Sequence, residues 1–456
     1  MELDKKTALF ETTPVPKAIL TLAVPTVASS LVMILYNLAD TFFVGMLNDP
    51  IETAAVTFAA PLILAFNAIN NLFGIGSASM MSRALGRKDY ETVRRSSAFG
   101  FYCALGSGVL FSLLVILFFR PLLGLLGADS VTYDATADYM LWTVCLGAVP
   151  SILNVVMAYL FRAEGAALHA SIGTMSGCIL NIILDPIFIL PWGLDMGAAG
   201  AGCATFVANC VACTYFLVLL AVRRGKTAVC VNPHWFSFRR DIVRGVCGVG
   251  VPASIQNLLN VVGMTVLNNF TAAYEASAVA AMGIGQKIAM VPMYAAMGVG
   301  QAVMPLVGYN FAAGNPKRMK GGFVFATEVS LAFEIAIVAV CCLIPETIVG
   351  LFIQDAQILA YGGRFLRGLI LAQPFLCMDF LAVGVFQACG MGKRSLLFAV
   401  LRKVALEIPA LVILNALFPL YGLAYAQLCA EVVLAAAAVL MLRRIFRDAE
   451  RSAELQ

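Results

Sequence analysis

Tyr36-Asn37-Leu38-Ala39-Asp40-Thr41-Phe42-Phe43-Val44-Gly45 lies inside a long apolar run and puts one carboxylate, Asp40, where its neighbours offer no water. A charge near the centre of a bilayer costs at least about 2.5 to 3.5 kcal/mol even on the lenient insertion scale, so intramembrane acids face a cavity, a partner or an ion path. Asp40 therefore reads as half of a cation site.

The surrounding composition makes the bilayer the relevant solvent. Of 456 residues 61% are hydrophobic and only 12% charged, and the mean hydropathy is +0.90. A soluble chain of that balance would expose far too much apolar surface. A helix needs about 20 apolar residues to cross the hydrocarbon core. Twelve such runs are present, at 17–45, 52–82, 95–120, 136–161, 169–190, 198–222, 245–270, 277–309, 320–345, 358–388, 395–418 and 421–442. They are apolar all round rather than alternating at period two, which excludes a β-barrel. The expected class is an all-α integral membrane protein. Met1 to Lys17 has no small-residue cleavage signal, so the first span is expected to act as its own signal anchor.

Twelve spans place both termini on one side. That side receives Lys5, Lys6 and Lys17, then Arg83, Arg87, Lys88, Arg94, Arg95 and Arg162, then Arg223, Arg224, Lys226, Arg239, Arg240 and Arg244. Further on it takes Lys317, Arg318, Lys320, Lys393, Arg394, Arg402, Lys403, Arg443, Arg444, Arg447 and Arg451, in all 26 of the 30 Lys and Arg. The opposite side keeps Arg120, Arg364 and Arg367 and many acids. By the positive-inside rule both termini are expected in the cytoplasm of a cell-membrane protein. His169 and His234 fall in cytoplasmic loops by the same count. Cys210-Val-Ala-Cys213 has redox or zinc spacing but no second ligand pair, and reads as small residues at a helix contact.

The chain also repeats itself at nearly half its length. Val24-Pro25 matches Val251-Pro252, Gly74-x-Gly76 matches Gly298-x-Gly300, and Gly86 matches Gly314. Phe161-x-Ala163-x-Gly165 matches Phe386-x-Ala388-x-Gly390, Pro186 matches Pro409, and Gly197-x-Ala199 matches Gly422-x-Ala424. The offsets stay between 223 and 228. Six spans per half enter the membrane in the same direction, so the halves should be two bundles related by a pseudo-two-fold axis along the membrane normal. This is a transporter signature, with the site between the halves. The expected division is a lobe at 1–225, a cytoplasmic linker at 226–244 and a second lobe at 245–456. No loop is long enough for an extramembrane enzyme domain.

Polar residues inside the spans recur at helical spacing, which sets each pair on one face. They are Asn37 and Asp40, Asn181 and Asp185, and Thr205 and Asn209, all in the first half. Two carboxylates, an amide and a hydroxyl suit a hard cation such as Na⁺. Equally, two neighbouring carboxylates repel, and one of them then holds a proton near neutrality. Either use couples the site to an ion. The second half differs: Asp379 aligns with Asn154, and Lys287 lies in the eighth run. A Lys287 to Asp379 ion pair and a role in substrate or proton handling account for these two equally well. Glu328, Glu334, Glu407 and Glu431 are left without assigned roles. There is no Walker-type run, so ATP is not the expected energy source, and no nucleic-acid motif or cofactor is indicated.

Asn37-Leu-Ala-Asp40-Thr-Phe-Phe-Val-Gly45, Leu184-Asp-Pro-Ile-Phe188, Gly197-Ala-Ala-Gly-Ala-Gly-Cys-Ala-Thr205 and Gly300-Gln-Ala-Val-Met-Pro-Leu-Val-Gly-Tyr-Asn310, with Gly314-Asn315, together carry a resemblance. Along nearly its whole length the chain resembles the MATE (multidrug and toxic compound extrusion) transporters, most closely their MepA-like and DinF-like branch. The resemblance implies twelve helices in two bundles and efflux of cationic amphiphilic drugs or dyes against inward H⁺ or Na⁺. It implies cation binding at Asp40, Asn181, Asp185 and Thr205, with Asn154 close by. Where other relatives carry an acid in the seventh span this sequence has Gln256, Asn257 and Asn260, so the resemblance carries no acid onto that span, and a second-lobe polar site would rest on Lys287 and Asp379. The expected partners are small organic cations and membrane lipid, with the chain acting as a monomer. A lipid-linked saccharide flippase is the alternative, but it calls for several Arg or Lys along the cleft, where only Lys287 qualifies.

Overall fold

The computed structural model describes residues 2–353 and 355–454, with side chains from Thr7 onward; the calls on Lys5 and Lys6 lie outside the described side chains. Among the described residues the regular structure is all helical. Ten continuous or gently broken helices are long and apolar enough to cross a membrane. In chain order they are Val15–Met46, Pro50–Gly86, Tyr90–Leu117, Ala167–Ile189, Gly197–Val222, Arg240–Ala272, Ala276–Ala312, Pro316–Leu343, Ala356–Ala388 and Tyr421–Glu454. The fourth span is the pair Tyr133–Leu146 and Ala148–Ala163, bent by 46° at Gly147. The eleventh runs through Gly392–Val400, a π-helical stretch Leu401–Glu407, and Ile408–Leu417. It falls short of an apolar span because Arg402, Lys403 and Glu407 lie within it.

These are the twelve expected spans, and they form two bundles of six around a pseudo-two-fold axis along the membrane normal. The repeat extends to the helix caps. Asp89 accepts from the Thr92 backbone N–H at 3.1 Å and starts the third span; Asn315 accepts from Arg318 N at 3.1 Å and starts the ninth. Such caps satisfy donors that the first turn leaves unpaired. Outward positions such as Leu114, Ile116, Leu117, Val218 and Leu440 are large, apolar and exposed, as lipid-facing residues must be.

The bundles touch mainly in the half of the membrane nearer the termini. Ser254 Oγ donates to the Ala68 carbonyl at 2.6 Å, and Arg162 Nη1 donates to Gln301 Oε1 at 3.3 Å. The Gly86 backbone lies so near Tyr309 that an added Cβ would sit 2.2 Å from its carbonyl oxygen. Between the first and eighth spans the close approach is Gly298 against Val27 and Ser30. Asn37, seven residues after Ser30, and Lys287, eleven residues before Gly298, lie on the facing stripes by helical period, and both are exposed.

The structure corrects two expectations for polar loops. His169 is not a loop residue: it lies in the first turn of the fifth span, where Nδ1 is 3.3 Å from the Tyr215 hydroxyl. Arg402 and Lys403 are not on the cytoplasmic face. Both are buried in the eleventh span, ten and eleven residues past Gly392.

Candidate functional site

The polar cluster of the first lobe is built on the first, fourth, fifth and sixth spans. The fifth and sixth spans come together at Gly177, where a Cβ would lie 3.1 Å from the Ala212 Cβ and 3.2 Å from the Ala208 carbonyl oxygen. Small residues at this contact bring Asn181 onto Thr205. With its amide oriented to satisfy both ends, Asn181 accepts from the Thr205 backbone N–H at 3.0 Å and from the hydroxyl at 3.2 Å. Its amide nitrogen then donates to Asp185 Oδ2 at 2.9 Å. Asp185 is fully buried. From the sixth span Asn209 donates to the Thr205 carbonyl at 2.9 Å and accepts from Asn154 Nδ2 at 3.2 Å. Asn154, Asn209, Thr205, Asn181 and Asp185 are thus one continuous chain of hydrogen bonds.

The first span closes the cluster. It packs along the fifth, and Asp40 comes close enough to Asp185 for the two carboxyl groups to interact electrostatically. Asp40 Oδ1 is buried with no hydrogen-bond partner. Tyr36, one turn before Asp40, brings its hydroxyl to Thr205, and Tyr139 of the fourth span lies within electrostatic reach of both acids. The two tyrosines escaped the sequence reading. Their signal was weak: Tyr36 is four residues from Asp40 and so shares its face, but Tyr139 has only the hydroxyls of Thr136 and Thr143 at helical spacing and no acid or amide. Asn37 stands apart, its amide donating to its own helix at the Met33 carbonyl at 2.9 Å.

Among the described residues no Lys or Arg pairs with Asp40 or Asp185. An unpaired acid couple can take up a small cation. Two carboxylates, an amide oxygen and one or two hydroxyls are hard donors that suit Na⁺ or a proton rather than a soft metal. Among the described residues no group of three or more His, Cys, Asp and Glu stands ready to hold a metal.

The second lobe places its polar side chains on the equivalent spans with the opposite electrostatic outcome. Asp379 does not pair with Lys287. Its Oδ2 accepts from Arg402 Nη1 at 2.6 Å, both side chains being buried, while Lys287 is exposed on the eighth span. Arg402 also donates to Asn260 of the seventh span and approaches Glu431 of the twelfth at 3.9 Å. Lys403 Nζ bonds both oxygens of Glu407, one turn on, at 2.7 and 2.6 Å. Gly263 leaves room for the Lys403 stem, since a Cβ there would sit 2.8 Å from Lys403 Cδ. Glu407 and Glu431, which had no partner in the sequence, therefore join one buried network with Asp379.

Comparison with known proteins gives a consistent context. A family model, MatE, matches the chain twice, over residues 25–187 and 252–413. Multidrug export protein MepA of Staphylococcus aureus strain MSSA476 is 31% identical over 439 residues, covering 96% of each chain. The protein of the same name from Staphylococcus saprophyticus is 31% identical over 442 residues with the same coverage. Among solved structures, the outward-facing conformation of a multidrug resistance MATE family transporter of the MOP superfamily superposes with a TM-score of 0.91. It shows 25% identity and 98% coverage of each chain. A MATE crystal structure in the bent conformation reaches 0.89 at 25% identity, covering 99% of each chain.

Proposed function

Because the chain belongs to the MatE family, we propose that it is a secondary antiporter that exports cationic amphiphilic drugs or dyes in exchange for H⁺ or Na⁺. Asp40 and Asp185, with Asn181 and Thr205, are the coupling site, and Asn154 supports it through Asn209. The observation that carries this reading is the pair of unpaired acids, on two different spans of one lobe. Residues 1–225 and 245–456 act as the two moving lobes, joined at 226–244.

The work follows from the electrostatics. With both acids ionised the cluster carries uncompensated negative charge in a poorly hydrated place, a state that a bound proton or Na⁺ relieves. Binding changes the charge beside the first span, which lines the cleft, and so biases which side the cleft faces. An organic cation in the cleft and a small cation at the acids compete for the same negative charge, which makes the exchange obligatory. In this reading the termini are cytoplasmic, the cleft faces outward, a single chain holds the whole machinery, and no cofactor takes part. A flippase for lipid-linked saccharides is not favoured: Arg402 and Lys403 are paired with acids inside the second lobe, and Lys287 on the eighth span is the one exposed base in the membrane-spanning part of that helix among the described residues.

The test is ethidium movement in proteoliposomes under separately imposed Na⁺ and pH gradients. Uphill dye transport under at least one gradient is the expected result. Dye that only equilibrates under both gradients would leave a passive channel.

A further inference from the structure

A third polar cluster lies where neither lobe's network reaches, between the ninth and tenth spans. Glu334 is 1% exposed, and neither of its carboxyl oxygens has a hydrogen-bond partner. One turn earlier the Ser330 hydroxyl is also buried and unpartnered. Across the contact Gln373 is buried with an unpartnered Oε1, its nitrogen donating to its own helix at Leu369. Cys377, one turn from Gln373 and on the same face, lies against Ser330 and within electrostatic reach of Glu334. On the ninth span Phe333 and Ile335 are exposed to lipid, so the carboxyl between them is turned into the lobe.

The chemistry of this cluster is one-sided. Its unpartnered atoms are two carboxyl oxygens, an amide oxygen and a hydroxyl oxygen, and the side chains around Glu334 are neutral. Among the described residues no basic side chain pairs with Glu334. The Cys377 thiol lies within electrostatic reach of it. Cys341, Leu366 and Ile370 of the same two spans form an apolar cluster with Val349 of the short connection between them. An ionised carboxylate here would lack both water and counter-ion, which is costly in such surroundings. One added proton changes that: the neutral acid gains an O–H that Gln373 Oε1 can accept. Sodium fits less well, because backbone carbonyls are occupied within the helices and a thiol is a poor ligand for a hard cation.

We propose that Glu334, with Ser330, Gln373 and Cys377, forms a proton-binding site of the second lobe, separate from Asp40 and Asp185 and from the Arg402 network. It exchanges its proton with the medium. The proposal concerns the resting protein, so it stands or falls independently of the transport reading.

Infrared difference spectra of the protein in lipid nanodiscs, stepped from mildly acidic to alkaline pH, test it. Expected is a deuterium-sensitive carboxylic-acid C=O band that is lost as pH rises, kept in Asp40→Asn and absent in Glu334→Gln. A band that survives in Glu334→Gln overturns the assignment. A Glu334 band indifferent to pH overturns proton exchange, and a band removed by sodium at fixed pH overturns the choice of proton. If Glu334→Gln does not fold, Gln373→Leu carries the test: loss of the acceptor shifts the band, and an unshifted band overturns the site.

Discussion

The two lobes put polar side chains on matching spans and leave them in opposite electrostatic states. In the first lobe, Asp40 and Asp185 meet with amides, hydroxyls and tyrosines around them and no base. In the second, Asp379, Glu407 and Glu431 meet Arg402 and Lys403. At the repeat offset of 225 the two basic residues stand where the first lobe has Gly177 and Cys178. A cation in place of a small residue at a helix contact thus gives the second lobe a paired strut, two bases among three carboxyls, in place of an ion-seeking site. A buried acid that already has a guanidinium has little reason to take an ion from outside; an unpaired couple does.

Substitutions that separate these states sharpen the contrast. The largest effect is expected at Asp185: Asp185→Asn should reduce ion-driven dye efflux to the level of empty liposomes. Thermal unfolding should stay near wild type, since no base loses a partner. Next comes Arg402→Leu, which strands Asp379 and Glu431 without their cation. Breaking a buried pair on one side costs about 3 to 5 kcal/mol, so detergent-solubilised protein should lose most of its folded fraction on mild heating. The double change Arg402→Leu with Asp379→Leu should recover much of the loss, and an unimproved double variant would count against the strut.

Smaller effects test how the first-lobe site is held. Gly177→Leu forces apart the contact that brings Asn181 to Thr205. Overpacking costs about 1 to 3 kcal/mol, and Na⁺ or proton affinity, read by calorimetry, should fall along with stability. Asn209→Ala removes two interhelical or local bonds whose worth in membranes averages about 0.6 kcal/mol. It should lower the melting temperature slightly and slow transport only a few-fold. A total loss of transport there would mean that Asn209 touches the cation itself.

The legibility of the two clusters in sequence differed for physical reasons. Asn181 with Asp185 and Thr205 with Asn209 are spaced by one helical turn inside uninterrupted apolar runs, so their shared face and their depth both follow from the pattern. Arg402 and Lys403 follow Lys393 and Arg394 and look like the tail of a basic membrane-edge cluster. The run at 395–418 already held them, seven and eight residues past its start, yet the count of basic residues assigned them to the cytoplasmic side. The turn-spaced Lys403 and Glu407 within an apolar run was the available clue. The mispairing of Asp379 with Lys287 has a related cause: pattern gives the face a residue occupies on its own helix, but not which neighbour that face meets. The span count survived because length and hydropathy decide it, even though the eleventh span carries charges and the fourth is bent.

The account's central claim is that Asp40, opposite Asp185, takes the driving ion. Uphill ethidium transport by Asp40→Asn proteoliposomes, under the gradient that drives the wild type, tests it most directly. The prediction is that the correctly folded variant lets dye equilibrate but never accumulate. Accumulation at the wild-type rate and extent would contradict it.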